Sequence, residues 1–294
     1  MKTNTILRFI FCNIIILLGC GKSNGPTPGG STKTWLVKDL AIHGGCAVGG
    51  PAALAHYTFT YDNAARIVQF DYSGCLPLAH YEVVYNSQGK ISNINHFQNN
   101  LSAPPSWLIT YGGDFVKTVV PENNDTANYP AKTLSWNINN NKELDGVRFN
   151  KTQFGSGGTL FYNYVSNALQ SSYIVDDLGR KQDLWASYAP NPSAPALENP
   201  FQVGRTHEQK FLYYFFLLGV IDDYDVLGDG LPNGIYEGYT YSGVNKIPSY
   251  HFFNSYTLDS NKNLSRIARS LALDAPAFST YSQNFTVDVT YEQH

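Results

Sequence analysis

In the stretch DYDVLGDGLPNGIYEGY, Asp225, Asp229, Gly230 and Asn233 fall at positions 1, 5, 6 and 9 of a calcium-binding loop. Carboxylates two or four residues apart on a tight loop converge on a hard cation, so Ca2+ is the one cofactor the spacing suggests. Leu227 and Tyr236 stand where a polar ligand and a bidentate Glu belong, with Asp222, Asp223 or Glu237 as substitutes. The competing reading is a surface loop rich in Gly, Asp and Pro. His56 and His80 each lie five residues before a Tyr that starts a similar turn, on the strand face opposite Tyr57 and Tyr81. With Glu82 or His96 they could hold zinc, although cross-strand pairing explains them as well. Trp107, Trp136 and Trp185, with several Tyr, could stack on pyranose rings, but aromatics on the buried face of a sheet are core. No nucleophilic motif is present: Ser156 sits in FGSGG, and His207-Glu208 lacks the second His of a helical zinc site. No catalytic residue is assigned.

The cysteines carry a different chemistry. Lys2 and Arg8 precede a short apolar run, Phe9 to Leu18, which ends in Leu17-Leu18-Gly19-Cys20. Spanning a bilayer takes roughly 20 apolar residues, so the run is too short to cross comfortably. It resembles the bacterial lipoprotein signal. The resemblance implies diacylglyceryl transfer to the Cys20 thiol, cleavage before Cys20 and acylation of the new amino group. Several acyl chains give stable anchoring where one does not. Residues 1–19 are then signal, and 20–34 are the lipidated Cys and a Gly-, Ser-, Pro- and Thr-rich tether. Cys12 leaves with the signal, so Cys46 and Cys75 remain in an exported chain, where one disulfide is expected. Closing a loop of roughly 30 residues would contribute about 3 to 4 kcal/mol. Asp125-Thr126-Ala127 resembles the short O-glycosylation signal of exported Bacteroidetes proteins and marks Thr126.

Composition narrows the classes. Charged residues are 15% and aromatics 14%, with a net charge of −3. There is no basic footprint for nucleic acid. Low charge with abundant Tyr, Phe, Asn, Ser and Thr suits an exported β-rich protein, and residues 35–294 are long enough to bury a core.

The elements that would position these groups repeat. An apolar residue, a turn, a second apolar residue at +6 and a third at +9 recur from Tyr61, Tyr85, Ile138, Val175, Tyr241 and Leu258, with Lys181 breaking the +6 slot of the Val175 copy. Shorter relatives start at Tyr111 and Tyr164. Asp, Asn, Ser and Gly supply the side-chain capping and positive φ of hairpin loops. The expected fold is mainly β: a meander of about eight antiparallel hairpins forming a curved, extended sheet in one domain, 35–294. The run Phe285, Val287, Val289, Tyr291 is the closing strand. One segment breaks the pattern. Thr206 and Gln209 form a capping-box signature before an all-round apolar run, which predicts a helix at about 207–218 packed on the sheet's concave face.

The lipobox, YTFTYDNAARI, YEVVYNSQGKI, the NPF at 199–201 and LPNG…YTYSGVNKIPS together resemble the uncharacterised Bacteroidetes lipoproteins of the DUF4595 type. That resemblance implies a lipid-anchored protein of the outer membrane, on the periplasmic side or the surface. It carries no established activity. The expected function is non-enzymatic binding or structure, with the bilayer as partner through Cys20 and a glycan or envelope protein as ligand. The alternative is a hydrolase of polysaccharide or cell wall, which needs two carboxylates facing each other across a groove.

Overall fold

Alternating apolar and polar residues produce strands throughout the described chain. The structure, a computed structural model, describes residues 34–43, 54–74, 78–98, 106–122, 131–137, 143–149, 157–165, 168–190, 197–217, 226–231, 234–242, 245–273 and 285–294. The first strands are β1 (Trp35–His43), β2 (Leu54–Tyr61), β3 (Ile67–Ser73), β4 (Ala79–Tyr85), β5 (Ile91–Gln98), β6 (Trp107–Gly112), β7 (Phe115–Pro121) and β8 (Lys132–Asn137). They continue as β9 (Glu143–Phe149), β10 (Gly158–Val165), β11 (Ala168–Asp176) and β12 (Lys181–Pro190). Helix α1 (His207–Leu217) intervenes before β13 (Gly234–Ser242), β14 (Asn245–Leu258), β15 (Leu264–Leu273) and β16 (Phe285–Gln293). Each strand pairs antiparallel with its neighbour in sequence, so the fold is the expected meander with one helix. The meander then goes a step further. β1 pairs with β2 on one side and with β16 on the other, and the sheet closes into a barrel.

In three copies the +6 offset is a cross-strand pair: Tyr61 faces Ile67, Tyr85 faces Ile91 and Leu258 faces Leu264, whereas in the Tyr241 copy Ile247 faces Thr240. The +9 offset reports a bulge. In a regular strand, residues on one face recur every second position. Here they recur after three, because the register shifts at Thr60/Tyr61, Val84/Tyr85 and Thr257/Leu258. Each bulge interrupts the ladder, and an aromatic from the next hairpin bonds to the backbone there. Tyr85 Oη donates to the Ile67 carbonyl (2.8 Å), Tyr164 Oη to Leu144 (2.7 Å), Tyr291 Oη to Leu264 (2.7 Å) and Trp136 Nε1 to Val116 (2.8 Å). Each such aromatic therefore ties its strand to the hairpin before it, Tyr291 doing so from the closing strand β16. The Val175 copy keeps its turn but not this packing: Lys181 and Leu184 are exposed.

The turns share one geometry. Asp62 Oδ1 accepts the amides of Ala64 and Arg66, and Asn86, Asp176 and Asp259 accept the equivalent pairs. In each, the fourth turn residue is left-handed: Ala65 (φ 60°), Gly89 (75°), Gly179 (77°) and Lys262 (66°).

Helix α1 packs inside the barrel against the first half of its wall. Its capping box forms as expected: the Gln209 amide donates to Thr206 Oγ1 (3.2 Å) and the Thr206 amide to Gln209 Oε1 (2.9 Å). Side chains on every side of it are buried, from Gln209 through Tyr214, then Phe216 and Leu217. Tyr213 packs edge-on to Phe59 of β2, and Phe216 stacks on Phe70 of β3 at 4.3 Å. Phe215 meets Trp107 of β6, and His207 meets Trp136 of β8. A helix reaches this many successive strands only from the concave side, so α1 is a plug inside the wall. The Tyr61 hydroxyl joins plug to wall, donating to the Val37 carbonyl and bonding Tyr213 Oη, both at 2.6 Å. Gln209 Nε2 adds a bond to the Ala65 carbonyl at 2.7 Å.

Candidate functional site

The plug's N-terminal end builds a cleft. The β6–β7 hairpin turns tightly at Gly112 and Gly113, which brings Phe115 back beside the helix start. Val116 N–H donates to His207 Nε2 at 2.9 Å, which places the imidazole proton on Nδ1. The His207 ring meets Phe115 edge-on (4.7 Å) and Trp136 edge-on (4.4 Å). Phe115 and Trp136 lie 6.3 Å apart. Together with Gly112, Val116, Lys117 and Leu134 they line an open cleft of about 260 Å³. Gly112 keeps its floor clear: a Cβ there would lie 3.2 Å from Lys117 Cδ. The two hydrogen-bonding groups nearest the aromatic wall are already used, the Val116 amide on His207 and Trp136 Nε1 on the Val116 carbonyl. What faces the opening is apolar surface and the exposed Lys117 ammonium, which has no ion pair among the described residues.

A second cluster lies within the lumen. Lys210 of α1 is paired with Asp229 Oδ1 at 3.1 Å, both largely buried. Asp229 belongs to a loop stitched to the segment before the helix, through Asn199 N–H to its carbonyl (2.9 Å) and Leu231 N–H to Leu197 O (2.7 Å). Glu143 of β9 is 3% exposed and has one carboxylate oxygen without a hydrogen bond. Burial first, and the nearby Asp229 carboxylate second, push Glu143 up to about 7. Lys132, desolvated by burial, is pulled below the usual lysine range. Arg269, also buried, is pulled down to about 9.

The predicted site residues fare unevenly. Asp229 is the described member of the calcium set, and its carboxylate faces an ammonium; Asp225 and Asn233 lie outside the described residues. No cluster of three metal-ligating side chains occurs among the described residues. His56 and His80 do face outward, but into separate pairs, with Asp39 at 3.4 Å and with Asp71 at 2.7 Å. The tryptophan platform is corrected: Trp107 and Trp185 are buried in the core at 9% and 6% exposure and offer no face to a sugar. Their strands turn them inward. Trp136 alone of the three reaches the cleft. Phe115, Lys117 and His207 of the cleft had no signal beyond the local YGGDFVK turn. Cys20, Cys46, Cys75 and Thr126 lie outside the described residues. Glu143 and Asp229 are the buried carboxylate pair of the described chain, yet Lys210 sits beside them and a polysaccharide does not reach Glu143. They make a structural cluster, not a hydrolase groove.

Among the described residues the outward face is mainly polar, with Val84, Phe97, Leu108 and Leu184 as exposed apolar exceptions. Rows across the wall read Asp39, Thr58, Asp71, His80, Phe97 and Thr118, Thr133, Arg148, Thr159. An aromatic pair on this face, Phe161 and Tyr173 at 5.1 Å, is capped by Lys181, whose ammonium is 4.2 Å from the Tyr173 ring centre.

Fold and site together define a closed antiparallel β-barrel that holds its own helix inside the wall and whose outer face, among the described residues, is mainly polar. The fold is similar to that of a crystallised porin-like protein from Bacteroides uniformis, with a TM-score of 0.53 and 14% identity over 87% of this chain and 98% of that one. A second crystallised porin-like protein, from Bacteroides vulgatus, gives 0.46 and 12% identity over 88% and 99%. No family model and no curated protein matches the chain.

Proposed function

We propose that this chain is a lipid-anchored outer-membrane protein with a non-enzymatic binding or structural role, in which the barrel stands in water and is held to the bilayer by Cys20. The observation that carries this is the orientation of the wall. A membrane-spanning barrel presents an apolar band to lipid and a polar lumen. Here Phe59, Phe70, Ile94, Val119 and Ile267 point into the lumen, and Asp39, Asp71, Glu82, Arg148 and Asp288 point out. A basic side chain at the bilayer midplane costs about 2–4 kcal/mol, so a lipid-facing wall of this composition is disfavoured. The packed lumen also opposes a channel role. The likeness to the DUF4595-type lipoproteins and the lipobox supports the anchor, and a glycan or envelope protein is the ligand class for the outer wall.

The test is a variant in which residues 1–20 are replaced by a cleavable export signal without the lipidated Cys, fractionated after expression. The mature barrel should leave the membrane fraction without detergent, and the wild-type chain should stay. A variant that remains membrane-integral after carbonate washing would refute the reading.

A further inference from the structure

We infer that the cleft at the plug's N-terminal end is a binding site for a small amphipathic monocarboxylate, an aromatic ring or short chain bearing one anionic group. The inference rests on the binding role proposed above, but not on where the anchor places the barrel. Three observations meet in it. First, the walls are apolar: Phe115, Leu134 and Trp136 line a space of about 260 Å³, close to the lower end of ordinary ligand pockets, at roughly 300 Å³. That suits one ring and a short substituent. Second, two polar groups beside the rings are spent. Val116 N–H serves His207, and Trp136 Nε1 serves the Val116 carbonyl. A sugar would bury hydroxyls with few partners, and unpaired polar groups weigh against binding. Third, the charge at the rim is a single cation. Lys117 lays its alkyl chain beside Gly112 and has no ion pair among the described residues. By contrast the neighbouring Lys90 is engaged, with Asp114 and the Gly113 carbonyl.

The local sequence explains the arrangement. Lys117 follows Val116 at the point where the β6–β7 register shifts, between Thr110 and Tyr111. Val116 faces the lumen, fully buried, while Lys117 and Thr118 both face out, so Lys117 occupies an extra position beside the turn. Gly112 leaves room for its stem. His207 lies behind the cleft and meets the Phe115 and Trp136 rings edge-on.

The experiment uses the full chain labelled at tryptophan indole nitrogens, observed by NMR. The Trp136 signal is assigned by its loss in Trp136→Phe. Phenylacetate should shift the Trp136 indole signal and leave those of Trp107 and Trp185 in place. Its neutral isostere phenylacetamide should bind about two- to fivefold more weakly, as expected for one exposed ion pair. Lys117→Gln should abolish that difference while the rest of the spectrum stays unchanged, since Lys117 is exposed. Glucuronate should produce no shift. Equal binding of acid and amide, a shift from glucuronate without one from phenylacetate, or an unmoved Trp136 signal would each overturn the assignment. Fractionation of the chain exported without the lipidated Cys reads the location separately, so the two proposals fail independently.

Discussion

The four Asp- or Asn-led turns offer a controlled test of what the repeat requires. Two of them place Gly in the left-handed position and two do not, with Ala65 at φ 60° and Lys262 at φ 66°. A non-glycine residue there costs about 1–2 kcal/mol, because its Cβ crowds the following carbonyl. Replacing it by Gly also loosens the unfolded chain, which returns about 0.4–1 kcal/mol of the gain. Lys262→Gly should therefore stabilise the protein by about 1 kcal/mol. The backbone contact survives, since the Lys262 amide, not its side chain, bonds the Asp259 carbonyl (3.0 Å). Gly179→Ala is the mirror experiment. Nothing lies within 4 Å of an added Cβ, so sterics with neighbours drop out and the loss, also about 1 kcal/mol, comes from φ alone. Ala65 is a poorer choice, because its carbonyl also holds Gln209 of the plug. The assay is equilibrium urea unfolding followed by tryptophan fluorescence, with m unchanged and the midpoint displaced. The corresponding shift in Tm is about 2–4 °C for a domain of this size. A Lys262→Gly variant no more stable than wild type, alongside a Gly179→Ala variant no less stable, would refute the view that these turns are held in a strained left-handed state.

Two further outcomes follow from the plug. Phe216→Ala, which removes the ring stacked on Phe70 and packed on Tyr81 and Phe215, should cost about 3–5 kcal/mol, read as a lower urea midpoint. Glu143 titrates near 7 in the folded chain and near its ordinary 4.5 when unfolded. The folded state thus binds more protons between those values, and stability should fall as pH rises from about 4.5 to about 7. Glu143→Gln should flatten that slope. Below the ordinary carboxylate range the trend reverses. Asp176, held low by the Arg180 amide, and Asp288, held low by Arg266, then lose their partners as they protonate. Unfolding curves at fixed pH steps across the range check both limbs.

Much of the architecture was local, and so was written in the chain. The turn residues, the paired apolar positions at +6 and the capping box of Thr206 and Gln209 each depend on neighbours a few residues away. Even the bulges are encoded, in the step of three between the +6 and +9 positions, although their meaning needs the register to be seen. The all-round apolar helix announced that it must be covered, but not by what. Closure was beyond reach for the same reason. Whether β16 finds β1 depends on curvature summed over sixteen strands, each bulge adding a small bend. That sum also decides that the concave face becomes a lumen, turning a helix laid on a sheet into a plug. The face on which each aromatic falls was likewise a tertiary matter. Trp107 and Trp185 turn inward with their strands, while Trp136 stays at the barrel's edge. There, on β8, it joins Phe115 and Lys117 of β7 and His207 of α1, three segments that no spacing in the sequence relates.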